Sequence, residues 1–106
     1  MKIMLAAIGA AAAAASPAFG ASTPTNLKQG KILFVAACGS CHTLPAAGTH
    51  GRKGPNLADE GSSYADVVDQ VVQGGGGMPG FGKSLTKRQV GNIAAFVAKS
   101  TAGRGD

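Results

Sequence analysis

Apolar residues recur at helical spacing in three segments of this chain, and strand signals are absent. The first segment follows Asn26, which can cap a helix, and ends near Cys38. Gly30 lies inside this segment, where glycine costs roughly 0.5–1 kcal/mol relative to alanine, so we expect another backbone to approach it closely. The apolar stripe of this helix is Leu27, Ile32, Leu33, Phe34 and Ala37.

The second predicted helix begins at Ser63, where Asp66 completes a capping-box pattern. Its apolar positions are valines, which are β-branched and also suit strands. Their i, i+1, i+4, i+5 spacing and the cap favour a helix. The expected buried face is Val67, Val68, Val71 and Val72.

The third predicted helix has the clearest start, because Thr86 and Gln89 form a capping box. Leu85 precedes the cap and is placed to pack on Val90. We expect the helix to end near Ser100. Its inward-facing residues are Val90, Ile93, Ala94, Phe96 and Val97.

Residues 1–20 have the layout of a secretory signal, which is a positive charge, an apolar run and small residues. We predict cleavage between Gly20 and Ala21, with Ala18 as the second choice. An uncleaved membrane anchor is the alternative, although the run is short, alanine-rich and weaker than the roughly 20 apolar residues of a spanning helix. The sequence therefore predicts a signal peptide at 1–20, one domain at 21–106, and a periplasmic or otherwise extracytoplasmic location.

The predicted domain is too small to bury a large core, so a bound cofactor is expected to stabilise it. It keeps nine of the ten basic residues and all five acidic ones, a formal charge of about +4. Its only cysteines are Cys38 and Cys41. A disulfide closing so small a loop would constrain the unfolded chain little.

The segment Cys38-Gly39-Ser40-Cys41-His42 matches the C-x-x-C-H pattern of covalent haem attachment. Two thiols can form thioethers with the haem vinyl groups, and the adjacent imidazole can coordinate the iron. One alternative is a thiol–disulfide oxidoreductase, which would normally have a strand before the cysteine pair. Another is a zinc or copper site, although three ligands so close in sequence rarely complete one.

Met78 is the predicted sixth ligand of the iron, because it lies in a glycine-flanked loop before Pro79. The alternative for a single methionine is a pliable core residue. His50 is a rival ligand, but it follows His42 by only eight residues and would reach the opposite haem face with difficulty. Without a Met78 bond, the iron would be open to gases or peroxide.

With these motifs, and with Gly54-Pro55-Asn56-Leu57, the chain resembles the small class I c-type cytochromes over residues 27–99. The resemblance implies an all-α fold of three to five helices wrapped around one covalently bound haem c. It implies that Gly30 and Phe34 pack across Ile93 and Phe96. It also implies that the carbonyl of Pro55 accepts from the ring N–H of His42.

Two features depart from the family pattern. The interval between His42 and Met78 is short, and Gly91 inside the last helix has no explanation in the pattern. Neither affects the haem prediction.

The resemblance implies a monomeric electron carrier rather than an enzyme. Its partners would be redox proteins, namely a cytochrome bc-type complex, a terminal oxidase, a dehydrogenase or a reaction centre, with membranes met only through these partners. Basic side chains beside the loops could steer an acidic partner, or they could be ordinary solvated charges. They are Arg52, Lys53, Lys83, Lys87 and Arg88. The lack of a basic run and of stacking aromatics argues against nucleic acid.

Overall fold

The computed structural model describes residues 25–59 and 61–102, so the predicted signal peptide and its cleavage site lie outside the described residues. Within these described ranges the fold consists of three α-helices, in agreement with the all-α prediction: α1 (Leu27–Ala37), α2 (Tyr64–Gln73) and α3 (Lys87–Ser100). Single 3₁₀ turns lie at Pro45–Ala47 and Leu57–Asp59. None of the helices in the described ranges has the length and apolar character needed to cross a bilayer.

The predicted starts of all three helices are confirmed by side-chain caps. The caps are Asn26, Ser63 and Thr86, and each accepts a hydrogen bond from the backbone N–H three residues later. Thr86 and Gln89 form the reciprocal box, with distances of 2.8 and 3.1 Å. Each cap satisfies a backbone donor that the helix itself leaves unpaired, which fixes where the helix begins.

Helices α1 and α3 cross in close contact at Gly30, as the sequence predicts. A Cβ atom placed on Gly30 would lie 2.0 Å from the carbonyl oxygen of Asn92, so only glycine fits there. Nearby, the rings of Phe34 and Phe96 pack with centroids 6.0 Å apart and planes tilted by 56°. This crossing forms the centre of the core and explains a glycine within a helix.

The predicted apolar faces are wider than the faces that the structure buries. On α1 only Gly30 and Phe34 are buried, and Ile32 is 51% exposed. On α2 only Val71 is buried, and Val72 is 40% exposed. Each of these two helices is covered on one side only, so the prediction that Val72 lies on the buried face of α2 is wrong.

A short antiparallel pair of strands, which the sequence analysis did not predict, follows the cysteine motif. Strand β1 (Thr43–Leu44) pairs with β2 (Thr49–His50), with Thr43 opposite His50. The buried hydroxyl of Thr49 accepts from the backbone N–H of Leu44 at 3.1 Å and donates to the carbonyl of His42 at 2.9 Å. Two residues per strand are too few to show an alternating pattern, so sequence periodicity could not reveal this hairpin.

Candidate functional site

The cysteine motif folds into a tight turn at the end of α1. Cys38 caps the helix, and its backbone N–H donates to the carbonyl of Phe34 at 2.8 Å. The N–H groups of Cys41 and His42 then both donate to the carbonyl of Cys38, at 3.1 and 3.0 Å. The turn brings two thiols and one imidazole to the same side of the helix end.

These side chains line a cavity of about 750 Å³. The cavity brings together all five predicted site residues, since Pro55 and Met78 from two separate loops also line it. Its volume is in the range of pockets that hold cofactors. Apolar side chains from all three helices and the loops form much of its wall, namely Phe34, Leu57, Val67, Val71, Phe81, Ile93 and Val97.

The imidazole of His42 is held in one orientation. Its Nδ1 lies 2.8 Å from the carbonyl oxygen of Pro55, as the resemblance implies, so the ring N–H donates to that oxygen. This bond favours the tautomer that leaves a lone pair on Nε2. Gly54 lies flat against the same ring, and its N–H donates to the carbonyl of Cys41 at 2.7 Å.

The Cys38 thiol is poorly suited to redox exchange. Burial, with a smaller contribution from the neighbouring Cys41, raises the pKa of the Cys38 thiol to about 11. Thiol–disulfide enzymes depend on a lowered pKa, because the thiolate is the nucleophile. In addition, Cys38 follows a helix rather than a strand, which disfavours the oxidoreductase alternative.

The structure supports neither of the two remaining alternatives, which are a zinc or copper site at the cysteine motif and His50 as the sixth ligand. Within the described part of the chain, no three side chains of His, Cys, Asp or Glu converge in the arrangement that a metal ion requires. His50 is exposed and does not line the cavity that holds the cysteines. It lines a separate polar depression of about 400 Å³ together with Arg52.

Met78 reaches the cavity from a turn made of glycines. Residues Gly74–Gly77 all have positive φ angles, of 71°, 118°, 64° and 94°. The amide nitrogen of Gln70 lies 3.7 Å from the sulfur of Met78. Nothing in the sequence singles out Gln70, because a polar residue on the last turn of an amphipathic helix carries no distinctive signal.

The residues around the cavity fit a haem of the c type. Two thiols, one imidazole nitrogen and one thioether sulfur form the donor set, and the apolar walls suit the porphyrin ring. Gly54 leaves room for the imidazole, where a Cβ atom would collide with it. Cys38 and Cys41 would hold the haem covalently, and His42 and Met78 would bind its iron.

Comparison with known proteins gives the same class. Residues 25–97 match the family model described as "Cytochrome C oxidase, cbb3-type, subunit III". The chain is 36% identical over 72 residues to cytochrome c6 of Rippkaea orientalis, which covers 64% of this chain and 65% of that protein. It is 30% identical over 76 residues to cytochrome c6 of Synechocystis, which covers 68% of this chain and 63% of that protein. The matches thus span just under two thirds of the length of these relatives.

A solved structure confirms the fold. The c-type cytochrome SorU from Sinorhizobium meliloti superposes with a TM-score of 0.67 at 28% identity, over 76% of this chain and 95% of that one. Fold and cavity define a small class I c-type cytochrome. The chain belongs to the c-type cytochrome family that the matching model describes, and the cofactor of this family is haem c.

Proposed function

We propose that this protein carries single electrons between extracytoplasmic redox proteins and has no enzymatic activity of its own. One observation supports the proposal most directly. Both thiols of the cysteine motif, the imidazole of His42 and the thioether of Met78 line one apolar cavity of about 750 Å³. This set would attach the haem and supply two protein ligands to its iron, which would leave no coordination site for a substrate.

When bound, haem c supplies an iron centre that exchanges one electron. The chain's own residues determine how easily this happens. Pro55 fixes the ring of His42, so the ligand would keep its position in both oxidation states. The apolar wall, which includes Val71 and Ile93, excludes water and disfavours extra positive charge. With neutral ligands, these walls would favour the ferrous state and raise the potential.

Charge near the cavity favours an acidic redox partner. Lys53 is exposed and lines the cavity. Lys83 lies in the turn that follows Phe81, a cavity residue, and Lys87 is exposed at the start of α3. Positive charge at these positions would accelerate encounter with an acidic surface. A bc-type complex, a terminal oxidase, a dehydrogenase or a reaction centre could present such a surface.

The proposal also includes export, with residues 1–20 as a cleaved signal peptide. The positive charge, apolar run and small residues of this segment support export, which would bring the cysteine motif to the compartment of the proposed redox partners. Mass spectrometry of the exported protein would test this part. The mature chain should begin at Ala21 and carry the added mass of one haem.

The central experiment is an absorption spectrum of the mature protein in both oxidation states. We expect a low-spin haem spectrum, a weak far-red sulfur-to-iron band in the ferric state, and pigment that stays with the polypeptide in acid–acetone. Met78→Ala should lose the far-red band and bind carbon monoxide when reduced, whereas the native protein should resist the gas. Release of all pigment, or a far-red band unchanged in Met78→Ala, would refute the proposal.

A further inference from the structure

Among the described residues, the turn that carries Met78 has little side-chain support. Gly75, Gly76 and Gly77 are exposed, and no heavy atom beyond their immediate chain neighbours lies within 4 Å of where their Cβ atoms would be. Their positive φ angles are readily adopted only by glycine, which gives the unfolded turn much conformational freedom. Such a turn orders only if other contacts restrain it.

Backbone hydrogen bonds hold the two sides of the turn together. The N–H of Gly75 donates to the carbonyl of Met78 at 2.8 Å, and the N–H of Met78 donates back at 3.1 Å. Further along, the N–H of Phe81 donates to the carbonyl of Val71 at 2.7 Å, which ties the chain to α2. These bonds fix the backbone of Met78 but leave its thioether free to rotate.

The side-chain amide of Gln70 lies close to both the glycine turn and the thioether of Met78. The Nε2 atom of Gln70, on the last turn of α2, lies 3.4 Å from the carbonyl oxygen of Gly75 and 3.7 Å from the sulfur of Met78. An amide group carries two hydrogens, so it can donate to both acceptors. Gln70 also lines the cavity, which places this amide beside the proposed sixth ligand.

We propose that Gln70 is a positioning residue for Met78, holding the glycine turn closed and fixing the orientation of the thioether sulfur. A thioether sulfur has two lone pairs. A hydrogen bond to one of them leaves the other for the iron and selects one configuration at the sulfur. This inference rests on the proposed function, since it requires Met78 to be the sixth ligand.

The experiment compares haem-loaded full-length variants by titration of the ferric protein with imidazole, which must displace Met78 to bind. Gln70→Leu removes the donor at similar size, and Gln70→Glu replaces the amide with a carboxylate that cannot donate. The matched control is Gln73→Leu, one turn along the same helix. Gln73 donates to Asp69 at 2.7 Å and does not line the cavity.

Both Gln70 variants should bind imidazole roughly three- to ten-fold more tightly than the native protein, the factor expected for loss of one ordinary hydrogen bond. Gln73→Leu should stay within roughly two-fold, because its bond does not reach the turn. The haem-methyl proton shifts should also change in the Gln70 variants, because these shifts report the configuration at the axial sulfur. A general loss of stability would affect the Gln70 and Gln73 variants alike, so it would not produce this difference in imidazole affinity.

Met78→Ala, measured in the same series, shows whether a negative result refutes only the role of Gln70 or also the assignment of Met78 as a ligand. Suppose that Met78→Ala binds imidazole far more tightly than the native protein, while both Gln70 variants bind it as the native protein does. Gln70 then has no positioning role, and the ligand assignment stands. If the native protein already binds imidazole as Met78→Ala does, Met78 is not a ligand. The role of Gln70 is then refuted together with the ligand assignment.

Discussion

The hydroxyl oxygen of Tyr64, at the start of α2, lies 2.9 Å from the position that a Cβ atom on Gly91 of α3 would occupy. Gly91 is the glycine that the family pattern leaves unexplained, and this hydroxyl is the nearest atom that a side chain there would meet. Tyr64 is 47% exposed, and its hydroxyl is the far end of a side chain with room to turn outwards. The Tyr64 hydroxyl can therefore move away from a methyl group at position 91 at little cost.

Gly91→Ala should stabilise the protein by about 0.5–1 kcal/mol, because alanine favours the interior of α3 over glycine. The measurement is the midpoint of urea unfolding at unchanged slope. Tyr64→Phe removes the atom nearest the new methyl group, so the gain in that background should be at least as large. A smaller gain in the Tyr64→Phe background would contradict this account.

The same replacement at Gly54 should have a different effect, because its neighbour is the ring of His42. A Cβ atom there would lie 2.7 Å from Cε1 and 3.0 Å from Nδ1 of that ring. Gly54→Ala should displace the imidazole and weaken its bond to Pro55, which shifts the haem absorption and the midpoint potential. Gly48→Asn is the control, because its surroundings are open and asparagine tolerates its φ of 70°. An unchanged potential in Gly54→Ala would contradict the proposed contact.

Gly30→Ala should be strongly destabilising, because the methyl group would meet the backbone carbonyl of Asn92 rather than a movable side chain. We expect a loss of about 3 kcal/mol or more from forcing the helices apart, at the upper end of overpacking costs. Chemical unfolding of the haem-loaded protein measures it. Lys31→Ala, next to it on the exposed side of α1, should change the free energy of unfolding by less than about 0.5 kcal/mol.

Thr49→Val tests the hairpin that supports His42. The hydroxyl of Thr49 bonds both the carbonyl of His42 and the N–H of Leu44 in a buried setting. Valine keeps the shape but leaves both backbone groups unpaired, at a cost of about 2–3 kcal/mol. Thr43→Val breaks one bond, to the carbonyl of Gly51 at 2.8 Å, and should cost less. Equal losses of stability in the two variants would mean that the two hydrogen bonds of Thr49 contribute no more than the single bond of Thr43.

Sequence alone predicts the parts of this fold that have local causes. The caps at Ser63 and Thr86 are set by residues three positions apart, and the inward face of α3 follows helical spacing. The sequence does not reveal the contacts that depend on tertiary packing, such as that between Tyr64 and Gly91. Ile32 is exposed because only one side of α1 is covered, which no periodicity along the helix can reveal.

The candidate site divides in the same way. Cys38, Cys41, His42 and Met78 are recognisable because their chemistry demands particular residue types at particular spacings. Gln70 and Gly54 act through their positions relative to Met78 and His42, and many residue types could occupy their places in an isolated helix or loop. Only the folded chain shows that they touch the proposed ligands.

Charge reversal tests whether the basic residues near the cavity steer an acidic partner. Lys83→Glu/Lys87→Glu should slow oxidation of the ferrous protein by ferricyanide, a trianion, by roughly ten-fold at low ionic strength, because attraction becomes repulsion. Added salt should reduce the difference, since exposed charges are screened over about 10 Å at 0.1 M. A cationic cobalt complex should show the opposite change, which stopped-flow absorbance can follow. The matched control is Lys28→Glu/Lys31→Glu on α1, which changes the net charge equally at exposed positions on a different helix. If both double variants slow the reaction equally, net charge alone is responsible and local steering at Lys83 and Lys87 is excluded.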